Sequence, residues 1–265
     1  MTQVLTDIIT DAYGQAQINL AIKEHIVNEE IKRLEDISDF YKKGDLMDEL
    51  LVEREVGLVQ KAMTKAGKAI EIGCGSGYST ERLHKMFDDY FVLEPSTKNL
   101  QLMQKRVEKK IRCQAGLLED FETEDKYDQV IFLNVLEHVD DPFASLRKIE
   151  SILSDEGQAF ISVPNCMSLN RRAGYRMGML KRYDTMAQKD YDLGHRRLYT
   201  VQMLTDHIES CGLRVECMKG VFLKPLAESQ MMTLGMEAIK AFHTLGEDIP
   251  EYCANLFAVA RKKYY

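Results

Sequence analysis

The chain has 265 residues, a formal net charge of −7 and 45% hydrophobic residues. This composition is typical of a folded globular protein, and the length suits one large α/β domain with additions. The negative charge argues against a protein that binds the phosphate backbone of nucleic acid. The six cysteines form no metal pattern, and neither a secretion signal nor a membrane-spanning apolar run is present. We therefore expect a cytoplasmic protein, without nucleic-acid or integral membrane partners, that acts on a small molecule.

Residues 1–66 precede the first predicted strand and have a helical pattern. Apolar residues recur at three-to-five spacing among charged ones between Ile18 and Ile37, and the stretch from Leu46 continues in the same style. We predict an N-terminal helical extension that either buttresses the sheet or forms a lid over the pocket. Tyr13 is its candidate substrate-binding residue. An extension of this kind would also allow a homodimer.

From residue 68 the pattern changes to alternating strands and helices, which is typical of a parallel sheet covered on both faces. We predict an α/β domain over residues 67–265 with a Rossmann-like, seven-stranded, mostly parallel sheet. The predicted strands lie near 68–73, 89–94, 111–115, 128–133, 157–163, 213–222 and 253–262, and the predicted helices lie near 78–87, 96–109, 142–153 and 200–211.

Two longer segments interrupt this alternation. Residues 164–199 form a predicted helical insertion after strand 5, and residues 225–250 carry a predicted methionine-rich helix. Long connections at the carboxyl ends of strands are usually functional, and ligands of open α/β sheets bind at that edge. We therefore expect both segments to form walls of a pocket for a second reactant.

The first predicted strand runs into the motif EIGCGSG, which supplies the candidate ligand-binding residues Glu71, Gly73, Cys74, Gly75 and Gly77. Its glycines can adopt positive φ and lack the Cβ atoms that would hold a ligand away from the main chain. Glu71 could bind an ammonium group or orient the loop, while the N–H donors of the next helix face the ligand. The motif therefore predicts a loop against which a flat ligand lies.

A second acidic residue, Glu94, ends the next predicted strand about 20 residues further on. Dinucleotide-type folds place an acid there to accept the ribose hydroxyls. The GxGxG spacing differs from the GxGxxG fingerprint of nicotinamide and flavin enzymes. The chain resembles class I S-adenosylmethionine (SAM)-dependent methyltransferases, whose first motif is (D/E)xGxGxG and whose second ends in a ribose-binding acid.

The resemblance implies SAM as the methyl donor and S-adenosylhomocysteine (SAH) as the product. It also implies that the residues after the third strand flank the adenine. Leu117 and Leu118 would contact its face, and Glu119 or a backbone amide could bind its amino group, with a surface acidic loop as the alternative. Pro95 and Asn134 complete the implied donor site.

The fourth predicted strand ends in LNVLEHVDDP, which resembles the LEHVxDP signature of methyltransferases related to the ubiquinone and menaquinone O-methyltransferases. This resemblance places His138 near the methyl donor, where an imidazole could take a proton from an acceptor hydroxyl, and a structural role is the alternative. Some of these relatives hold a metal at an acid-x-x-Glu-His cluster. Asn134 replaces the first acid here, so we predict no metal.

A Gly-His-Arg-Arg step provides the second catalytic candidate, His195. In the same relatives a comparable step lies on the acceptor side. We expect the neighbouring guanidinium groups to disfavour the protonated imidazole, which would keep His195 available as a base. Arg171, Arg196 and Arg197 are predicted to bind an anionic acceptor, and salt bridges within the protein are the alternative.

These motifs together predict a methyltransferase that moves the sulfonium methyl group of SAM to an oxygen of a small anionic acceptor. A sugar, a phosphorylated or phosphoramidate intermediate, or a secondary metabolite would fit. The donor is already activated, so the protein mainly aligns the reactants and takes up a proton. The alternatives are a catalytically silent SAM-binding or partner-binding protein, a quinol or phenol O-methyltransferase, an N-methyltransferase and a nicotinamide oxidoreductase.

Overall fold

The structure is a computed structural model that describes residues 24–38, 46–107 and 110–263. The predictions for residues 1–23 and 39–45, Tyr13 among them, lie outside the described residues. No helix of the described segments is both long and apolar enough to cross a bilayer.

Helices and strands alternate along the described chain. Two helices precede the sheet: α1 spans residues 24–38 and α2 spans Leu46–Ala62. The remaining elements are β1 (Lys68–Ile72), α3 (Tyr78–Leu83), β2 (Asp89–Glu94), α4 (Thr97–Arg106), β3 (Arg112–Ala115), β4 (Tyr127–Leu133), α5 (Pro142–Ile152), β5 (Leu153–Pro164), α6 (Leu169–Arg176), α7 (Gln188–Asp192), α8 (Val201–Ser210), β6 (Leu213–Val221), α9 (Glu228–Met231), α10 (Met236–Leu245) and β7 (Asn255–Lys262).

The strands form one seven-stranded sheet in the order β3-β2-β1-β4-β5-β7-β6. Only β7 runs antiparallel to its neighbours β5 and β6. Ile70 of β1 is in register with Phe91 of β2 and Val130 of β4, so the carboxyl ends of these strands meet at one edge. The predicted Rossmann-like, mostly parallel sheet is confirmed.

Alternating strand residues build a core on each face of the sheet. On one face Ile70, Val130 and Phe132 pack with Leu146 of α5 and Leu204 of α8. The residues adjacent in sequence to these strand residues face the opposite side of the sheet. Its core consists of residues such as Ala69, Ile131, Val59 of α2, Met103 of α4 and Ile239 of α10. Helix α2 therefore packs on the sheet as a buttress, in the same layer as α4.

Helix α1 has a different position, above the carboxyl edge of the sheet. Its Glu35 carboxylate accepts hydrogen bonds from the Thr97 hydroxyl at 2.9 Å and the Lys98 backbone N–H at 3.2 Å. These contacts fix one end of α1 to the start of α4. The predicted helical insertion after β5 is also present, as α6 and α7.

Candidate functional site

A cavity of about 1110 Å³ lies at the carboxyl edge of β1, β2 and β4, and we call it the donor-side cavity. Its floor is formed by the glycine motif and by the ends of the three strands. Helix α1 contributes one wall through His25, Ile26, Val27, Glu29, Glu30, Arg33, Leu34 and Ile37. The cavity lies where open α/β sheets bind ligands, and it is large enough for a cofactor-sized molecule.

Close packing requires glycine at two positions of the motif, Gly73 and Gly77. Gly73 has φ of 78°, and a Cβ atom there would lie 2.5 Å from Val135 Cγ2. Gly77 has φ of 79°, and its Cβ atom would lie 2.6 Å from Met103 Cα. Gly73 and Gly75 line the donor-side cavity together with Cys74, whereas Gly77 is the N-cap residue of helix α3. The loop therefore presents main-chain atoms to a ligand.

Glu71 is buried beneath this loop and does not line the cavity. Its carboxylate accepts hydrogen bonds from the hydroxyl groups of Ser79, Thr80 and Tyr90. Burial raises its pKa, and these hydroxyls oppose that shift. Of the two roles predicted for Glu71, the contacts favour orientation of the loop.

Glu94, by contrast, lies in the donor-side cavity at the end of β2. Its carboxylate accepts hydrogen bonds from Ser96 N at 2.9 Å, Gly75 N at 3.2 Å and Asn99 Nδ2 at 3.2 Å. Burial raises its pKa. Glu94 thus ties the glycine loop to β2 and retains acceptor capacity toward the cavity.

The other predicted donor-site residues surround the same cavity. Pro95, Leu117, Leu118, Glu119 and Asn134 all line it. Glu119 already accepts a hydrogen bond from the Ser145 hydroxyl. The structure therefore brings the predicted donor-site residues together, except that Glu71 and Gly77 act from outside the cavity wall.

Helix α1 is connected across the cavity to the insertion after β5. Arg33 donates hydrogen bonds to the carbonyl oxygens of Gly194 and His138, both at 3.1 Å. Glu30 forms an ion pair with Arg33 at 2.7 Å and another with Arg196 at 2.8 Å. Sequence reasoning missed Glu30 and Arg33, because nothing local marks contacts between residues so distant along the chain.

Gly194→Ala is expected to displace α1. Gly194 has φ of 76°, and a Cβ atom there would lie 2.2 Å from Ile37 Cδ1 and 3.0 Å from Arg33 Nη1. Hydrogen–deuterium exchange of residues 24–38 should therefore rise. Gly178→Ala is the matched control, since Gly178 has φ of 74° with nothing within 4 Å of its Cβ position. Equal exchange of α1 in both variants would contradict this packing role.

A second cavity of about 1000 Å³ adjoins the first, and we call it the acceptor-side cavity. Residues of α2, of the β4–α5 loop and of the insertion line it. Asn134 and His138 line both cavities, whereas His195 lines only the second. Residues 225–250, which we expected to form a wall, line neither cavity.

Two histidines and two carboxylates meet in the acceptor-side region. The rings of His138 and His195 make an edge contact with their centroids 4.8 Å apart. His195 Nδ1 lies 3.5 Å from Asp190 Oδ1, and His138 Nε2 lies 4.0 Å from Glu137 Oε1. Asp190 lies on α7, five positions before His195, and no motif in the sequence marks it as a partner of the imidazole.

The surroundings of His195 favour its protonated form. Burial lowers the pKa of this imidazole, but the contact with Asp190 and the charges of nearby carboxylates outweigh burial and raise the pKa. The expectation that Arg196 and Arg197 disfavour the protonated form is therefore wrong. Both guanidinium groups donate to carbonyl oxygens of the β4–α5 loop, Arg196 to that of His138 and Arg197 to that of Leu136, both at 3.0 Å.

His138 has the opposite character. Burial and the charge of His195 lower its pKa to about 3, so it is neutral at physiological pH. Burial raises the pKa of Glu137 to about 7. The ligand atoms of Glu137, His138 and His195 lie within 4.8 Å of one another, a spacing that suits one cation. The absence of a metal stays a prediction.

The predicted acceptor-binding arginines are committed to contacts within the protein. Arg197 donates hydrogen bonds to the carbonyl oxygens of Leu136, Val139 and Asp140. Arg171 donates to the carbonyl oxygens of residues 183 and 185. Neither lines a cavity, and Arg196 lines only the donor-side one. The structure therefore places none of these three in the acceptor-side cavity.

A buried carboxyl group joins α2 to the carboxyl ends of β4 and β5 and the start of β7. Glu55 accepts hydrogen bonds from Asn134 Nδ2 at 2.8 Å and Asn255 Nδ2 at 3.3 Å. Burial raises its pKa to about 8, against opposing hydrogen bonds that include Ser162. Asn134 has φ of 55° and is held between the two cavities. Sequence reasoning missed Glu55, which looks like one charge among many on an amphipathic helix.

Comparison with known sequences identifies methyltransferases as the relatives of this chain. A family described as "Methyltransferase domain" matches residues 45–218, more than half of the chain. Ubiquinone biosynthesis O-methyltransferase of Aeromonas salmonicida is 28% identical over 165 residues, which cover 60% of this chain and 68% of that protein. The human mitochondrial ubiquinone biosynthesis O-methyltransferase is 24% identical over 172 residues, which cover 60% of this chain and 45% of that protein.

Solved structures share the fold. A SAM-dependent methyltransferase of Thermotoga maritima has a TM-score of 0.61 at 20% identity and covers 85% of this chain and 95% of that one. The N-methyltransferase NodS of Bradyrhizobium japonicum, in complex with SAH, has a TM-score of 0.51 at 15% identity and covers 80% of this chain and 87% of that one. At such identities the likeness concerns the fold.

Proposed function

Because the chain belongs to the methyltransferase domain family and is a SAM-dependent methyltransferase, we propose that it methylates a hydroxyl oxygen of a small acceptor. The observation that carries this proposal is the junction of two cavities. The donor-side cavity contains the glycine loop and Glu94, and the adjoining cavity contains His195 with Asp190 beside it. A donor and an acceptor bound side by side would meet at Asn134 and His138.

The donor-side residues fit SAM in type. Glu94 would accept the ribose hydroxyls, Leu117 and Leu118 would contact the adenine, and the glycine loop would approach the ligand closely. SAM supplies an activated methyl group on a positive sulfur atom. The protein's own tasks are to align the reactants and to exclude water. We assign the second task in part to α1, which acts as the lid of the donor-side cavity.

His195 is proposed to accept the proton of the acceptor hydroxyl. Asp190 orients the imidazole and stabilises the imidazolium that forms, in the arrangement of a base with an orienting carboxylate. His138 is buried and weakly basic, so we assign it a packing role against His195. The arginine contacts within the protein remove the basis for an anionic acceptor.

Glu94→Ala is expected to weaken SAM binding by about 1–3 kcal/mol, because the ribose hydroxyls and the loop N–H of Gly75 lose their acceptor. Calorimetric titration with SAM and SAH measures this change. Glu122→Ala is the control, since Glu122 is exposed and lines neither cavity. Unchanged affinity in the folded Glu94 variant would remove Glu94 from the donor site.

Titration of the wild-type protein with SAM and SAH, followed by a methyl-transfer screen, tests the proposal as a whole. The screen should compare sugars, quinols, phenols and amines, each with phosphorylated or carboxylated counterparts. Micromolar donor binding with transfer to a hydroxyl supports the proposal. Transfer to nitrogen alone would replace it with an N-methyltransferase. Donor binding without transfer to any acceptor would favour the catalytically silent alternative.

A further inference from the structure

The acceptor-side cavity is rich in carboxylates around its histidines. Asp48 and Glu49 of α2, Glu137 after β4 and Asp192 at the end of α7 all line it. The cation of α7 is already engaged, because Lys189 pairs with Asp48 at 3.4 Å and with Glu228 at 3.6 Å. The two other cationic residues that line this cavity, Lys105 and Arg106, belong to α4.

Of these two α4 cations, Arg106 contacts the glycine loop. Arg106 donates a hydrogen bond to the Ser76 carbonyl at 3.1 Å and lies 3.6 Å from the Glu81 carboxylate. The three arginines of the insertion that could have balanced the carboxylates bind carbonyl oxygens and other acids instead. Within the described residues, Glu49, Glu137 and Asp192 of the acceptor-side cavity form no ion pair with a lysine or an arginine.

Glu137 points to a ligand more directly. Its side chain is only 1% exposed, and its Oε2 atom has no hydrogen-bond partner among the described residues. A buried carboxylate without a donor is costly, and a cationic group at that position would offset the cost. His138 Nε2 lies 4.0 Å from Glu137 Oε1, and the charge of His195 acts on Glu137 without a hydrogen bond to Oε2, so neither imidazole supplies this donor in the structure.

We propose that the acceptor carries a protonated amino group that binds at Glu137 together with Glu49 and Asp192, which line the same cavity, and that it presents a hydroxyl group to His195. This inference rests on the proposed function and narrows its substrate class to amino alcohols, amino sugars or aminophenols. An ammonium group held by carboxylates has no free electron pair, so the hydroxyl oxygen is the atom that reacts.

The methyl transfer needs no reactant other than SAM, the acceptor hydroxyl and His195. The oxygen–carbon bond forms as the carbon–sulfur bond of SAM breaks, and the sulfur keeps the electron pair. The hydroxyl proton passes to neutral His195, and SAH leaves as the neutral product. The ammonium group remains protonated throughout and serves to position the acceptor.

Binding of matched probes to the protein saturated with SAH tests the inference. One set is dopamine, 4-ethylcatechol and 3-(3,4-dihydroxyphenyl)propionate, and the other is glucosamine, glucose and glucuronate. The three catechols carry the same two hydroxyls and differ in the charge of the side chain. The three sugars share the hydroxyls at C1, C3 and C4, and glucosamine has an ammonium group in place of the C2 hydroxyl, whereas glucuronate has a carboxylate at C6. In at least one set the amine should bind roughly tenfold or more tightly than the neutral probe, with the carboxylate weakest. Glu137→Gln should remove this preference.

Two further variants keep the test decisive. Asp88→Asn, at an exposed position before β2 on the opposite edge of the sheet, should retain the preference for the amine. If Glu137→Gln unfolds or loses SAH binding, Asp192→Asn replaces it and should reduce the preference. An amine preference that survives in folded Glu137→Gln and in folded Asp192→Asn would overturn the role of these carboxylates.

The outcomes separate this inference from the proposed function. Methylation of neutral hydroxyl probes with no advantage for the amines would overturn the inference and leave the proposed function intact. Amine binding that depends on Glu137, with no methyl transfer from SAM, would overturn the proposed function and leave the ammonium site intact. No amine preference in either set would show that Glu137 does not bind an ammonium group. The same conclusion follows if methyl transfer requires added Mg²⁺ and a chelator abolishes the transfer.

Discussion

Replacing His195 by alanine is expected to lower kcat by about 10²–10⁴-fold with the hydroxyl acceptor found in the screen, the range for loss of a general base. His195 lines only the acceptor-side cavity, so SAH affinity should stay unchanged. Steady-state kinetics together with SAH titration separate the two effects. His207→Ala is the control, because His207 packs against Phe143 and Tyr199 and lines neither cavity.

The pH dependence of kcat gives this prediction a second readout. The base is active when neutral, and the pKa of His195 is raised, so the rate should rise with pH through a midpoint above the ordinary histidine value. Asp190→Asn removes the charge that contributes to this shift, and the midpoint should move to lower pH. Full turnover of His195→Ala would exclude His195 as the base and leave His138 as the remaining candidate.

The sheet and the donor-side loop could be predicted from sequence because their signals are local. Alternating apolar residues specify the strands, and the glycines of residues 73–77 have few alternatives to a tight loop. The position of Glu94 follows from the strand that precedes it. These features depend on neighbours within a few residues or on the fixed order of strands.

The acceptor side was harder to predict because its contacts join distant residues. Arg33 binds the Gly194 carbonyl across 161 positions, and Glu55 binds Asn255 across 200. The sequence identifies Arg196 and Arg197 as charged residues near His195 but does not give the direction of their side chains. In the folded protein, the β4–α5 loop offers carbonyl oxygens that need donors, and these arginines supply them.

This difference explains why the electrostatic prediction for His195 failed. Charges that are adjacent in sequence need not act on each other, whereas Asp190 and Glu137 act on the imidazole because they lie beside it in space. A pattern of charges along the chain therefore indicates which groups are available. Their contacts decide which pKa values shift and in which direction.

Raising the pH from about 5 to about 7.5 is expected to destabilise the wild-type protein relative to its Glu55→Gln variant by about 3 kcal/mol. Glu55 is fully buried, and its pKa is raised from 4.5 to about 8. Between these values the folded state keeps the proton and the unfolded state releases it. The contribution of Glu55 to stability is therefore present at low pH and is lost as the pH rises toward 8.

Urea unfolding of both proteins across this pH range measures the difference in free energy. Other groups that titrate on unfolding contribute to both curves and cancel in the comparison. Glu53→Gln is the matched control, because Glu53 is exposed on the same helix and its substitution should not change the pH dependence. Parallel curves for wild type and Glu55→Gln would mean that Glu55 is ionised in the folded protein. In that case the hydrogen bonds from Asn134 and Asn255 would hold a carboxylate anion at the junction of the two cavities.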